Sequence, residues 1–287
     1  HVTDDRANKV GVAGRAVLVL GPDNKTYSGV FLAVRPKEKQ RVNTGRETFI
    51  LPVDWSGTFP VFVNGLVPME PKLKMPTGVT ANKTGKDGFF PAGNFTFTDN
   101  FTADKLDQRW IGLRGPREAF ATTTNNGLQI KPFPANIKEN KPTSTLFHRQ
   151  MHQTFSYEVT LQYQPASEKA LAGLVALQSE RYNYVFGITR KGADTYLLLE
   201  RNEGKPRSRE TSSTILASTK LDLNAPVRLK IAADGDQYTF SYALNGGVYK
   251  RLGDVVSGDI LSTDVAGGFT GCLLGLYATS ANTSIPK

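Results

Sequence analysis

The sequence is poor in the residues that staple, ligate or span. Its one cysteine, Cys272, has no partner for an intrachain disulfide, so bonding gives no reading of the redox compartment. No run approaches the roughly 18 apolar residues that a membrane-spanning helix requires, and no membrane partner is expected. Long amphipathic helices are also missing, which leaves an all-β chain. Acidic residues are the scarcer charge, 26 against 35 basic, for a formal net charge of +9. That excess is scattered. Residues 201–209 carry Glu203 among their arginines, and the group Arg35, Lys37, Lys39 and Arg41 is interrupted by Glu38. Dispersed cations of this kind read as a solvated surface, so no nucleic-acid partner is expected; adhesion to acidic plant cell-wall polymers is the milder alternative.

Turn formers, by contrast, are plentiful. With 27 Gly and 16 Pro in 287 residues, the composition suits many short strands and gives enough chain for two ordinary domains. Five acceptor triplets, opening at Asn24, Asn82, Asn94, Asn100 and Asn282, point to a glycosylated, secreted and extracellular protein. The first residues show no signal-peptide pattern, and a chain beginning at His1 reads as processed or cut.

Residues 14–55 contain three β-rich runs, at 16–20, 27–34 and 48–53, the first two joined by the turn-forming Gly21-Pro22-Asp23-Asn24. A short strand is expected at 60–63. Three antiparallel strands in about forty residues have two faces to cover and too little chain to cover them, so the unit needs neighbours.

The spacing of Gly14-Arg15-Ala16, Phe31-Leu32-Ala33-Val34-Arg35-Pro36, Gly45-Arg46-Glu47-Thr48-Phe49 and Pro52-Val53-Asp54-Trp55 resembles the last part of the catalytic propeller of glycoside hydrolase family 43. That family holds β-xylosidases and α-L-arabinofuranosidases. Where it usually has Gly-His-Ala-Asp, this chain has Gly14-Arg15-Ala16-Val17, without the histidine that an axial metal or water site would use.

Pro68, Pro71 and Pro76 stop regular pairing, and residues 77–93 shift to Gly, Thr, Asn and Lys. The expected organisation is therefore the end of a propeller domain at 1–76, a linker at 77–93 and a second domain at 94–287. The stretch from Phe97 to Pro116 resembles the opening of a lectin-like (concanavalin A-like) β-sandwich, with Phe101, Leu106 and Trp110 as core anchors. In the family just named such a sandwich follows the five-bladed propeller. Strand candidates then recur about every ten residues: 127–131, 144–150, 154–163, 170–178, 182–189, 195–200, 211–217, 227–233, 237–243, 250–252 and 269–277. Period-two alternation is clearest at 157–163 and 227–232. Turns are expected at 125–127, 202–204, 234–236 and 245–247.

Few constellations carry chemistry. His148 and His152 have the spacing of a helical metal pair but lie in a strand–turn–strand pattern, and they read as solvent or turn histidines. Cys272, in an apolar run, reads as a small core residue. Asp234-Gly235-Asp236 with Asp222, Asp254 and Asp259 is the one acidic set that would suit calcium, but the triplet is a turn first and no EF-hand loop is present. No metal-binding residue is assigned and no cofactor is certain, with calcium the one left open.

Two substrate-binding residues are expected. Arg35 ends an apolar strand, where a guanidinium can fork onto sugar hydroxyls or a carboxylate, and the resemblance places the F-L-x-x-R-P arginine in the sugar subsite. Phe269 lies among glycines and resembles the family's A-F-T-G phenylalanine, which the sandwich sends to the active-site mouth; ordinary core packing is the alternative. Glu47 is read as an ion-pair partner that fixes the blade. The resemblance implies inverting hydrolysis by carboxylates on earlier blades, so no catalytic residue is assigned in this chain. The chain is thus expected to be the C-terminal portion of a secreted glycosidase acting on xylan or arabinoxylan. Its expected partners are the N-terminal propeller polypeptide of the same enzyme and xylan or arabinoxylan oligosaccharides. The alternative is a non-catalytic carbohydrate-binding sandwich with a vestigial blade.

Overall fold

The computed structural model describes residues 10–36, 41–62, 93–205, 208 and 210–286. The expected linker lies outside them but for Gly93, and Asn82 lies outside with it. The chain divides into two compact units. One comprises His1–Gln40 and Arg46–Asn100, the other Arg41–Gly45 and Phe101–Lys287.

The first unit is an antiparallel sheet in the order β1 (Gly11–Leu20), β2 (Tyr27–Val34), β3 (Glu47–Asp54), β4 (Val61–Phe62). The β1–β2 turn closes as its residues dictate: the Asp23 carboxylate accepts from the backbone amides of Lys25 and Thr26, and the Gly21 amide donates to the Thr26 carbonyl at 2.7 Å. β1 pairs irregularly around Arg15, whose φ of 55° marks a bulge. Val10, Phe31, Ala33 and Leu51 make a small core, with Phe49 and Phe62 packed against it. The other apolar residues are largely outside it. Val17, Leu18, Val19 and Leu20 are all exposed, as are Ile50, Trp55, Phe59 and Val61.

The second unit is a β-sandwich. Its larger sheet runs in the order β13 (Thr211–Leu221), β12 (Asp194–Gly204), β11 (Tyr182–Lys191), β10 (Leu171–Ser179), β18 (Leu273–Thr279), β8 (Ser144–Arg149), β5 (Ile111–Gly112). The smaller has β16 (Lys250–Arg251), β15 (Gln237–Leu244), β14 (Val227–Asp234) and β9 (Thr154–Leu161), with β17 (Val256–Ser257) also on β15. β6 (Ala121–Thr124) and β7 (Gly127–Ile130) form a separate hairpin. Alternation in β14 delivers Leu229 and Ile231 to the core and Arg228 and Lys230 outward, as the sequence pattern requires. Tyr184 and Phe186 of the large sheet meet Phe240 of the small one at ring-centroid distances of 5.6 and 5.5 Å.

β10 is different: every residue from Leu171 to Leu177 is buried. A second apolar cluster explains this, made of Ile137, Phe147, Leu171, Val175, Leu177, Val185, Leu198 and Tyr277. The centre of the large sheet is therefore covered on both faces. The chain is all-β with a lectin-like sandwich, as expected.

Some local expectations fail. Asn202–Gly204 is not a turn, because β12 and β13 pair in register out to Gly204 and Thr211. The real tip is held by the Arg181 guanidinium, which donates to the carbonyls of Lys205, Ser208 and Glu210. His148 is not a solvent histidine; it sits in β8 with its ring edge-on to Trp110 at 4.1 Å. Trp110 is buried as expected of an anchor, with Phe101 tilted against it at 5.3 Å.

Candidate functional site

β2 runs apolar to Val34, and the chain leaves the sheet at Arg35. Ala33 pairs with Glu47, the first residue of β3, so the side chains of Arg35 and Glu47 come together where the strands part. The guanidinium donates from Nε to Glu47 Oε2 at 2.5 Å and from Nη2 to Oε1 at 2.6 Å. This charge-assisted pair raises the arginine pKa above its ordinary value. Glu47 is thus an ion-pair partner, and its partner is Arg35. The fork uses two of five N–H donors, and the arginine side chain keeps 44% of its exposure.

Phe269 lies in the second unit, on a loop of glycines at left-handed φ: Gly267 and Gly268 at 80° and Gly271 at 77°. These conformations suit glycine and interrupt pairing, which is why β18 starts at Leu273 rather than at Phe269. Gln178 Nε2 donates to the Gly267 carbonyl at 2.9 Å and Arg149 Nη2 to the Thr270 carbonyl at 2.6 Å. Phe269 is 63% exposed and is not a member of the Ile137–Tyr277 cluster.

The feature that sequence reasoning missed lies beside that loop. Arg41–Gly45 stands between β2 and β3 in the chain, yet it belongs to the sandwich unit. Val42, Asn43 and Thr44 are buried there. The Cys272 amide donates to the Asn43 carbonyl at 2.7 Å, and the Val42 amide donates to Ser262 Oγ at 2.6 Å. Asn43 Nδ2 reaches the Gly258 carbonyl at 2.9 Å and the Tyr238 hydroxyl at 3.3 Å. Tyr238 in turn donates to Gln150 Oε1, and its burial pushes its pKa up. Arg41 forks onto Asp259 at 2.8 and 3.2 Å and reaches Asp264 at 2.5 Å, and these carboxylates raise its pKa. Gly45 (φ 71°) and Gly271 cross backbone to backbone. A Cβ on Gly45 would lie 2.5 Å from the Gly271 nitrogen, and one on Gly271 would lie 2.5 Å from the Gly45 nitrogen. The only sequence signal was that each glycine belongs to one of the resembling motifs.

The remaining candidates have structural places. Cys272 is buried and its thiol pKa is pushed up by that burial. Asp234 and Gly235 turn the β14–β15 hairpin, and Asp259 is paired with Arg41. Among the described residues, no three His, Cys, Asp or Glu side chains converge as metal ligands. No helix among them is long and apolar enough to cross a membrane. Asn24, Asn94 and Asn100 are exposed. Asn282 is buried, and its Nδ2, the atom a glycan would take, donates to the Glu168 and Ser284 carbonyls and to Thr189 Oγ1. A glycan cannot share that position in this fold.

Residues 98–285 match the family described as "Beta xylosidase C-terminal Concanavalin A-like domain". The chain is 28% identical over 280 residues to "Non-reducing end alpha-L-arabinofuranosidase BoGH43B" of Bacteroides ovatus, covering 94% of this chain and 49% of that protein. It is 25% identical to "Xylosidase/arabinosidase 43B" of Humicola insolens, covering 94% of this chain and 50% of that one. Among solved structures, a GH43_12 protein retrieved from a capybara gut metagenome superposes with a TM-score of 0.86 at 44% identity, over 97% of this chain and 51% of that one. The chain spans about half the length of the curated relatives it matches. It belongs to the family of β-xylosidase C-terminal concanavalin A-like domains, within glycoside hydrolase family 43.

Proposed function

We propose that this chain is the C-terminal portion of a secreted, inverting glycosidase that removes xylose or arabinose units from xylan or arabinoxylan. The observation that carries the reading is the first unit: an arginine at the F-L-x-x-R-P position, held by Glu47, on a sheet whose apolar residues are left exposed. An exposed Val17-Leu18-Val19-Leu20 run on an edge strand is what a propeller blade shows when the preceding blade is absent. That preceding polypeptide is the proposed partner, and it carries the acid and base carboxylates, one protonating the leaving oxygen and one activating water across the sugar ring. In this chain Arg35 donates to sugar hydroxyls with the N–H groups that Glu47 does not use, and Phe269 supplies an apolar wall. The relatives' names, xylosidase and arabinofuranosidase, support the substrate class. Glycans, if the host adds them, sit on Asn24, Asn94 or Asn100 rather than Asn282. The binding-module alternative is weakened because apolar packing covers the central strands of the large sheet on both faces.

The test is to express the whole coding sequence and assay it on aryl xylosides and arabinofuranosides, following the anomer released by NMR. Release of the inverted sugar is expected. Retention, or no hydrolysis of either glycoside, overturns the reading. Intact mass and SDS gels of native material should show a second polypeptide of propeller-remainder size or one longer chain; a lone 31.4 kDa species counts against it.

A further inference from the structure

We propose that the outer face of the small sheet, around Tyr249 and Arg251, is a second carbohydrate-binding site that takes an acidic sugar, a uronate unit borne on a polysaccharide. The inference goes beyond the functional reading above and does not rest on it, since every residue involved belongs to the sandwich unit.

Strand register places the site. Arg251 of β16 pairs with Ser241 of β15, Ser241 with Lys230 of β14, and Lys230 with Glu158 of β9, so one row of side chains crosses the sheet. Directly opposed residues share a face, and this face points away from the core, because Leu229 and Ile231 on either side of Lys230 are buried. Thr160, Arg228 and Ala243 form the adjoining row. The centre of the large sheet is covered on both faces, whereas this face is open: Thr154, Ser156, Glu158 and Thr160 are exposed along β9, and Arg251 along β16. Cations that the sequence disperses are thus gathered by the sheet.

Tyr249 is built into the same face. Its hydroxyl donates to Glu158 Oε2 at 2.9 Å, and its ring centroid lies 3.9 Å from Lys230 Nζ and 4.9 Å from Arg228 Cζ. Arg228 Nη2 donates to the Gly247 carbonyl at 2.6 Å, which fixes the turn that carries the tyrosine. A ring held in this way offers apolar surface at little entropic cost, and Val248 beside it is 87% exposed. Charge decides the ligand. Arg228, Lys230 and Arg251 stand against one carboxylate in these two rows, Glu158, which Tyr249 and Lys230 (3.5 Å) already engage. The Arg251 guanidinium has no side-chain partner among the described residues, and its fork of donors matches a carboxylate. A uronate brings both complements in one unit, a carboxylate for Arg251 and C–H surface for Tyr249 and Val248. The hydroxyls of Thr160 and Ser241 stand in the same two rows. A neutral pentose would leave Arg251 unpaired.

The test is retardation of the 287-residue chain in affinity gels that contain a xylan bearing glucuronic acid side groups, the same polymer with its carboxyls reduced to alcohols, or polyglutamate. The acidic xylan is expected to retard the chain, and the other two polymers far less. Arg251→Ala should weaken binding to the acidic xylan about tenfold, and Tyr249→Phe, which keeps the ring but loses the bond to Glu158, about threefold. Arg251 is exposed, so Arg251→Ala should keep the wild-type melting midpoint. Lys131→Ala, which removes an exposed cation elsewhere on the sandwich, should leave binding unchanged. Equal retardation by the reduced xylan overturns the proposal, as does no loss from Arg251→Ala. So does an equal loss from Lys131→Ala, or retardation by polyglutamate as strong as by the acidic xylan, since either would show net charge alone at work.

Discussion

The two units solve the same problem, how to cover a β-sheet, to very different degrees. In the sandwich, β10 is buried over seven consecutive residues because the small sheet lies on one face and the Ile137–Tyr277 cluster on the other. In the first unit, β1 is exposed from Gly14 to Leu20 although four of those residues are large and apolar. Sequence hydrophobicity is alike in the two strands. The difference lies in the layers around them, so the same Val-Leu pattern is core in one unit and an unpartnered surface in the other.

The sharpest way to break that contrast is to make matched truncations. Phe240→Ala removes a ring that packs on Tyr184 and Phe186, and should cost roughly 3–5 kcal/mol in the sandwich transition of a denaturant melt. Val17→Thr should change stability by less than about 0.5 kcal/mol, since its side chain is already in solvent. Limited proteolysis of the 287-residue chain extends the test: fragments from 1–76 should be lost first while 101–287 persists. If the sandwich is cut first, the contrast is false.

Activity gives the next test. Arg35→Ala should cost on the order of 3 kcal/mol in transition-state binding, because it removes a charged donor and leaves Glu47 unpaired. Phe269→Ala should cost roughly 1–2 kcal/mol in kcat/KM, the loss of wall area alone. Both should leave the melting midpoint nearly unmoved. For Phe269 that follows from a ring 63% exposed; a core residue would show the reverse, a large melting loss with normal specific activity.

Legibility follows the range of the interaction. Alternation in β9 and β14 is local, and the burial of both strands follows it. The Asn-Gly and Asp-Gly turns are local too, and Gly127, Gly235 and Gly246 all take left-handed φ. Arg35 and Glu47 are twelve residues apart but adjacent in a hairpin register, so an ion pair could be anticipated. The place of Arg41–Gly45 could not. Nothing in Arg41-Val42-Asn43-Thr44 says that its partners lie from about one hundred to more than two hundred residues on, and the same sequence would serve as an ordinary polar loop. His148 failed for a related reason: Trp110 lies on a distant segment, and only the tertiary fold brings its face to the imidazole.

Acid should reveal the last and smallest difference. Asp107, at the opening of the sandwich, accepts from the Arg109 guanidinium and from the Arg109 backbone amide, and these bonds hold its pKa at about 2 against an ordinary 3.8. A carboxylate with a depressed folded-state pKa binds fewer protons than it does in the unfolded chain. Its contribution is therefore present above pH 3.8 and is lost as pH falls from there toward about 2. The full shift would be worth a little over 2 kcal/mol, but the side chain is 31% exposed, and solvent screening reduces the expected figure to about 1 kcal/mol. Asp54 in the first unit has a lowered pKa as well, from the Ser56 amide and hydroxyl, but it is fully in solvent and should add nothing measurable to the acid limb. Asp107→Asn should thus lower the sandwich stability at pH 7 and flatten its slope between pH 4 and about 2. Asp54→Asn should leave both unchanged. Chemical melts of the three proteins at intervals of half a pH unit decide it, and an unchanged slope in Asp107→Asn would show that the Arg109 bonds do not hold in solution.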